Sequence, residues 1–254
     1  MSRFRPRLSC HRSAFTLIEM LLVVSLLALL IALLLPTMRQ AKLAATETIC
    51  ASNMRQSVSA FTNYGFDNGK LYPDFSFQPA TNNQWTQPNY WVQTYWRDYM
   101  AVKYGMQREF FYSPSNPVWN RNDFYWYDTG NPATAHAMVT GYYYFGSTVV
   151  SSSGFRSSLK VAPPATFKTI FPRRIGAESF SNLLWADLNR QLGSHIGTWL
   201  TPGDARRWGS NHWYGNPDQS VAGSHRAFVD QHVEWVNTPE FKLQSTYTSA
   251  HHYW

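Results

Sequence analysis

Residues 15–35 read FTLIEMLLVVSLLALLIALLL, an apolar run of 21 residues carrying one charge, Glu19. Wound as an α-helix at about 1.5 Å per residue, it spans roughly 31 Å, the thickness of a bilayer's hydrocarbon core. Arg3, Arg5, Arg7 and Arg12 precede it, with no acid among them. Such an asymmetry keeps the N-terminus in the cytoplasm and sends the remainder across the membrane.

Three readings of this segment compete. A secretory signal peptide has an apolar region of about 7–15 residues and no carboxylate. This run is longer and contains Glu19, and the small-residue site at Leu43-Ala44-Ala45 lies well past its end. A plain, unprocessed anchor leaves Glu19 unexplained, because an intramembrane carboxylate costs about 2.5–3.5 kcal/mol on insertion scales. A lipoprotein fits less well still, since Cys10 precedes the apolar run and does not follow it. The third reading is a precursor clipped just before the run.

Ser13-Ala14-Phe15-Thr16-Leu17-Ile18-Glu19 resembles the prepilin peptidase site of type IV pilin-like proteins, with Ala14 where that family usually has Gly. The resemblance implies a cytoplasmic cut between Ala14 and Phe15, N-methylation of Phe15, and Glu19 as fifth residue of the mature chain. The chemistry agrees. Cleavage creates an amine on Phe15, and Glu19 lies four residues on, along the same helix face. Between packed helices, Glu19 of one subunit can pair with the amine of its neighbour. That pairing offsets the burial cost and sets axial register. The alternative for Glu19 alone is snorkelling to the nearby interface.

The helix is expected to continue beyond the membrane. Residues 37–64 contain neither Gly nor Pro. Ala41, Ala45, Ile49, Met54, Val58, Phe61 and Tyr64 form an apolar stripe at intervals of three to five. Gly65 and Asn68-Gly69 are stop signals, and Pro36 is expected to kink or loosen the helix. A helix over 15–64 is roughly 75 Å long.

The stretches Cys50-Ala51-Ser52-Asn53-Met54-Arg55-Gln56, Phe61-Thr62-Asn63-Tyr64 and Asp67-Asn68-Gly69-Lys70-Leu71-Tyr72-Pro73 resemble a bacterial pseudopilin-like group, similar through its N-terminal helix to the major pseudopilin of type II secretion. That group often ends in an H-x9-DG-type signature. Here Ser210-Asn211-His212 is followed by Asp230-Gln231-His232-Val233. Two departures stand out. Gln231 replaces the Gly of a turn that favours positive φ, at about 1 kcal/mol, and the interval from His212 to Asp230 is longer than usual.

Elsewhere, residues 89–104 read as a helix, 137–150 and 182–188 as strands, and 226–236 as a hairpin. Residues 167–175 are ambiguous, and the tail at 250–254 is expected to be mobile unless docked. The resulting class is α+β and pilin-like. A long N-terminal helix, half transmembrane and half amphipathic, packs on a small antiparallel sheet with aromatic-rich loops. The expected organisation is a cleaved leader at 1–14, a transmembrane helix at 15–36, its amphipathic extension at 37–66, and a globular periplasmic domain at 67–254.

Charge restricts the partners. The chain carries +7, but without the four leader arginines 18 bases face 15 acids, a net +3. No nucleic-acid partner is expected from that balance. Clipping leaves Cys50 as the only cysteine, so no intrachain disulfide forms. No P-loop, nucleophile elbow, H-E-x-x-H or C-x-x-C motif is present, so no enzyme is expected. Cofactors are not required. If an ion binds, calcium at Asp187 and Asp230 is the expected form, since some pseudopilins bind calcium near their C-terminal loops and carboxylates suit it. A second option is a His-ligated transition metal at Asp230 and His232, with His212 and Asp187 nearby. The bland alternative has Asp230 and His232 capping a turn.

The aromatics grouped from Trp85 to Tyr127 serve core packing, a subunit contact or a ligand platform. The implied partners are prepilin peptidase, other pilin or pseudopilin subunits, an inner-membrane assembly platform and membrane lipid. The function expected is a subunit of a type II secretion pseudopilus or related filament, at the bacterial inner membrane. The competing reading is a membrane-anchored, aromatic-rich surface protein that binds polysaccharide or another ligand and forms no filament.

Overall fold

A computed structural model of the chain describes residues 16–73, 75, 91–116, 119–120, 122–125, 137–146, 172–177, 179, 181–192, 211–212, 221–237, 243–247 and 250–253. Helix α1 runs Leu17–Asp67. It continues through Pro36, which forgoes the hydrogen bond to Ala32, while Thr37 Oγ1 donates to Leu34 O at 2.8 Å. The chain divides into two units, 1–45 and 46–254. In the first, the described apolar side chains are exposed on every face of the helix, from Leu17 to Met38. This stretch is long and apolar enough to cross a membrane, and none of it is buried within the chain.

In the second unit, α1 buries Cys50, Asn53, Met54, Ser57, Val58, Ala60, Phe61, Thr62 and Gly65. The spacing of 50, 54, 57/58, 61 and 65 is the 3.6-residue period of one helix face. Met54, Val58 and Phe61 stand where the apolar stripe predicts. Ala41, Ala45 and Ile49 do not: Ile49 is 51% exposed, one residue and about 100° away from Cys50. The polar members are bonded, as burial requires. Asn53 Nδ2 donates to Glu109 O at 3.2 Å, and Ser57 Oγ reaches Phe110 O at 3.2 Å, tying α1 to a 3₁₀ turn at Arg108–Phe111. The helix stops beyond Gly65, which is buried inside it. Gly69 (φ 62°) and Lys70 (φ 67°) turn left-handed, and Lys70 N–H returns to Gly65 O at 2.7 Å.

Next come β1 (Trp91–Gln93), α2 (Thr94–Tyr104), α3 (Asn122–Tyr125), β2 (Ala137–Val139), β3 (Tyr142–Tyr144), β4 (Leu183–Asp187), β5 (Asn189–Leu192), β6 (Gly223–Phe228), β7 (Val233–Asn237), β8 (Leu243–Tyr247) and β9 (Ala250–Tyr253). The helix expected over 89–104 begins as strand β1, and the strand expected over 137–150 is split by Thr140-Gly141 into β2 and β3. The strand at 182–188 and the hairpin at 226–236 form as β4 and β6–β7. The tail is docked: β9 lies between β5 and β8. Of the ambiguous 167–175 stretch, the described part pairs with the segment that follows α1, Leu71 opposite Arg174.

The central sheet is antiparallel, in the order β3-β4-β6-β7. Its register, Tyr142↔Asp187, Ala186↔Arg226 and His225↔Trp235, sets Tyr142, Asp187, His225 and Trp235 in one row across four strands. Side chains alternate with a period of two, so Tyr144, Trp185, Ala227 and Val233 form a second row on that face. Phe61 of α1 packs edge-on against Tyr144 and Trp185, with centroids 5.0 and 5.3 Å away. This is the α+β, pilin-like arrangement of a long helix and a small antiparallel sheet.

Candidate functional site

The N-terminal segment begins to be described at Thr16, so the Ala14–Phe15 cleavage site lies outside the described residues. Thr16 is the N-cap of α1. Its backbone N–H and Oγ1 donate to Glu19 Oε2 at 2.8 and 2.9 Å, and Glu19 N–H returns to Thr16 Oγ1 at 3.3 Å. This is a reciprocal capping box, T-x-x-E, which satisfies helix-end donors that would otherwise lack partners. Thr16 and Glu19 of the FTLIE string thus close the first turn of the helix. In the lone chain, Glu19 has a local partner among exposed leucines and valines.

A second site lies inside the globular unit. Cys50 from α1, Asp187 at the end of β4, His212 from the Asn211-His212 turn and His225 from β6 converge, and each is at least 95% buried. Asp187 is the hub. Its Oδ2 accepts the backbone N–H of His225 at 2.6 Å and lies 2.9 Å from His212 Nε2 and 3.3 Å from His225 Nδ1. Its Oδ1 accepts from Asn211 Nδ2 at 2.8 Å and lies 3.8 Å from Cys50 Sγ. His212 Nε2 is 3.1 Å from His225 Nδ1 and 3.6 Å from Cys50 Sγ. Ser113 Oγ and Tyr142 Oη stand 3.4 and 3.3 Å from the sulfur.

The sheet register explains half of this constellation. Asp187 and His225 are cross-strand neighbours in the row Tyr142, Asp187, His225, Trp235, and Tyr142 and Asp187 of that row reach Cys50 of α1. The Trp235 ring closes the site, 5.0 Å from the His212 ring and 4.7 Å from that of His225. It lies where a Cβ on Gly223 would come within 2.2 Å of its indole, so Gly223 is a requirement of close approach. His212 reaches the site from a left-handed backbone, φ 53°. Such a residue carries about 1–3 kcal/mol of strain, held here by surrounding bonds. Its N–H donates to Ser115 Oγ at 3.0 Å, and its carbonyl accepts from Ala222 N–H at 3.1 Å.

Electrostatics follow from burial and neighbours. Burial opposes ionisation of Asp187, but the His212 and His225 imidazoles outweigh it and hold the carboxyl well below its usual range. Burial pushes the Cys50 thiol up, and the Asp187 carboxylate adds to that; the Ser113 and Tyr142 hydroxyls act the other way. The Tyr142 phenol is raised by burial, then by Cys50 and Asp187.

The two carboxylates expected to share calcium do not meet. Asp187 neighbours His225 at one end of the β4–β6 pairing, whereas Asp230 lies beyond Phe228 at the other. Asp230 instead accepts from the His232 N–H at 3.2 Å and lies 2.5 Å from His232 Nδ1, capping the β6–β7 turn. Gln231, expected to bear a positive φ in that turn, has one of 71°, and its Oε1 accepts from Ser59 Oγ at 2.9 Å. His212 stands beside Asp187, but the pair lies away from Asp230 and His232, so the four do not form one site. The sequence reading missed His225 and any role for Cys50 at the site. Alternation in β6 was the available signal: His225 and Ala227 are buried, while Arg226 and Phe228 between and beyond them are less so.

The described aromatics of 85–127 mostly serve packing. Trp119 is fully buried, Trp96 and Tyr99 pack edge-on against Tyr64 of α1, and Tyr95 is exposed. Trp85, Tyr90, Trp126 and Tyr127 lie outside the described residues.

Residues 10–35 match the family described as the prokaryotic N-terminal methylation motif. The match covers the FTLIE string and the apolar run. Neither a curated protein nor a solved structure matches the chain.

Proposed function

We propose that the chain is a type IV pilin-like protein, processed at its N-terminal methylation motif and anchored by its long apolar helix, and that it serves as a structural subunit of a type II secretion pseudopilus or a related filament. It is inserted in the bacterial inner membrane with its N-terminus cytoplasmic and its C-terminal domain periplasmic or carried in the filament. An inner-membrane assembly platform and further subunits are its partners, and its role is structural, not enzymatic. One observation supports this reading above others. The apolar side chains from Leu17 to Leu35 are exposed all around α1, so their cover comes from lipid or from other helices.

Glu19 sits within that surface and has two tasks. In the single chain it closes the capping box with Thr16. In a bundle, its carboxylate also meets the amine exposed by cleavage before Phe15. Glu19→Gln separates the tasks, because Gln serves a capping box but carries no charge. The variant is expected to insert and be clipped normally, while cross-linked subunit ladders disappear. Normal ladders from Glu19→Gln would sink the ion-pair account of assembly.

A further inference from the structure

We propose that Cys50, Asp187, His212 and His225 form a zinc(II) site that clamps helix α1 to the sheet of the globular unit. The donor set is one thiolate, two imidazole nitrogens and one carboxylate oxygen, which are the ligand types of zinc. Tetrahedral zinc with bonds of about 2.0–2.3 Å separates its donors by about 3.3–3.7 Å. The observed separations are 2.9 Å for His212 Nε2 to Asp187 Oδ2, 3.1 Å between the imidazole nitrogens, 3.3 Å for His225 Nδ1 to Asp187 Oδ2, and 3.6 Å for His212 Nε2 to Cys50 Sγ. All donor atoms lie within 4.8 Å of one another. The four residues come from four separate places in the fold, so no local sequence spacing forces this convergence.

A hydrogen-bonded network is the competing use of these atoms. It accounts for Asp187 as acceptor, but it places two imidazole nitrogens around one carboxylate oxygen and against each other, with the thiol against His212 Nε2. A single central cation satisfies all four at once. The outer groups suit that arrangement. Asn211 holds Asp187 Oδ1, Oδ2 accepts the His225 N–H through one lone pair and keeps the other to bind, and Ser113 and Tyr142 offer hydroxyls to the sulfur. Metal ligands elsewhere are fixed by such outer partners. Calcium is a poor occupant, because it takes six to eight oxygens. Four protein ligands with no access from solvent describe a structural site, not a catalytic one. The ion would also occupy the thiol of Cys50, the single cysteine of the clipped chain.

The inference stands independently of filament assembly. Its test uses the full-length protein extracted in detergent. Metal analysis is expected to find one zinc per chain, and chelation should lower the thermal midpoint, with zinc alone restoring it. Replacement by cobalt(II) should give the absorption of a tetrahedral ion with thiolate charge transfer. Asn211→Ala, which spares every ligand, should weaken zinc binding by about 10–100-fold, and His232→Ala at the surface turn should leave it unchanged. If Cys50→Ser fails to fold, the cobalt spectrum of the wild type still decides. Folded wild-type protein that takes up no zinc, or a cobalt complex without thiolate charge transfer, overturns the proposal in favour of a hydrogen-bonded core.

Discussion

Phe61→Ala should destabilise the globular unit by about 4–5 kcal/mol, whereas Phe66→Ala, five residues along the same helix, should change little. Phe61 is fully buried and meets Phe75, Tyr144 and Trp185 edge-on, at centroid distances of 5.4, 5.0 and 5.3 Å. Removing a buried Phe costs about 3–5 kcal/mol. Edge-to-face pairs add about 0.5–1.5 kcal/mol beyond burial, and three such partners place the loss at the upper end. Phe66 is 64% exposed, so its truncation should stay within about 0.5 kcal/mol. In a unit of this size each kcal/mol moves the thermal midpoint by about 2–4 °C, giving a drop of about 8–20 °C for Phe61→Ala. Thermal unfolding of the detergent-extracted chain, followed by tryptophan fluorescence, measures both variants. Similar shifts for the two, or a Phe61→Ala drop under about 3 °C, would refute the placement of α1's second half as the core of the sheet domain.

Gly223→Ala puts a Cβ within 2.2 Å of the Trp235 indole and 2.6 Å of Val236 O; overpacking of this kind costs about 1–3 kcal/mol, readable as a lower unfolding midpoint and exposed Trp235 fluorescence. Gln231→Val sets a β-branched residue at φ 71° and removes the acceptor of the Ser59 hydroxyl; it should lose about 1–3 kcal/mol, while Gln231→Gly stays near the parent. Thr16→Ala removes the capping oxygen of α1; helix signal at the N-terminal turn should fray, at about 1 kcal/mol, which amide exchange in detergent detects.

The parts of this fold that were legible in the sequence are those with a strong local code. The apolar run, the FTLIE string and the strand before Asp187 each show in a single window of residues. The helix stripe was legible in period but not in phase. Ile49 is apolar yet exposed, because the buried face runs through Cys50, Asn53 and Ser57. Those residues look like surface composition, and only their tertiary partners at Glu109, Phe110 and Asp187 explain their burial. The four-residue cluster was hidden for the same reason. Its members are spread along the chain, with Cys50 and His212 162 residues apart and His225 farther still, and pairing register, not spacing, joins Asp187 to His225. Thr16 and Glu19 show the reverse case, in which the capping pattern T-x-x-E stood in plain view beneath a more specific signal.

The central claim is that the apolar helix is the start of a processed, assembling subunit. N-terminal sequencing with mass measurement of the membrane-extracted protein tests it most directly. The account predicts a chain that begins at N-methylated Phe15. An intact Met1 would contradict it, and so would a start near Thr46, which would make the apolar run a discarded signal sequence.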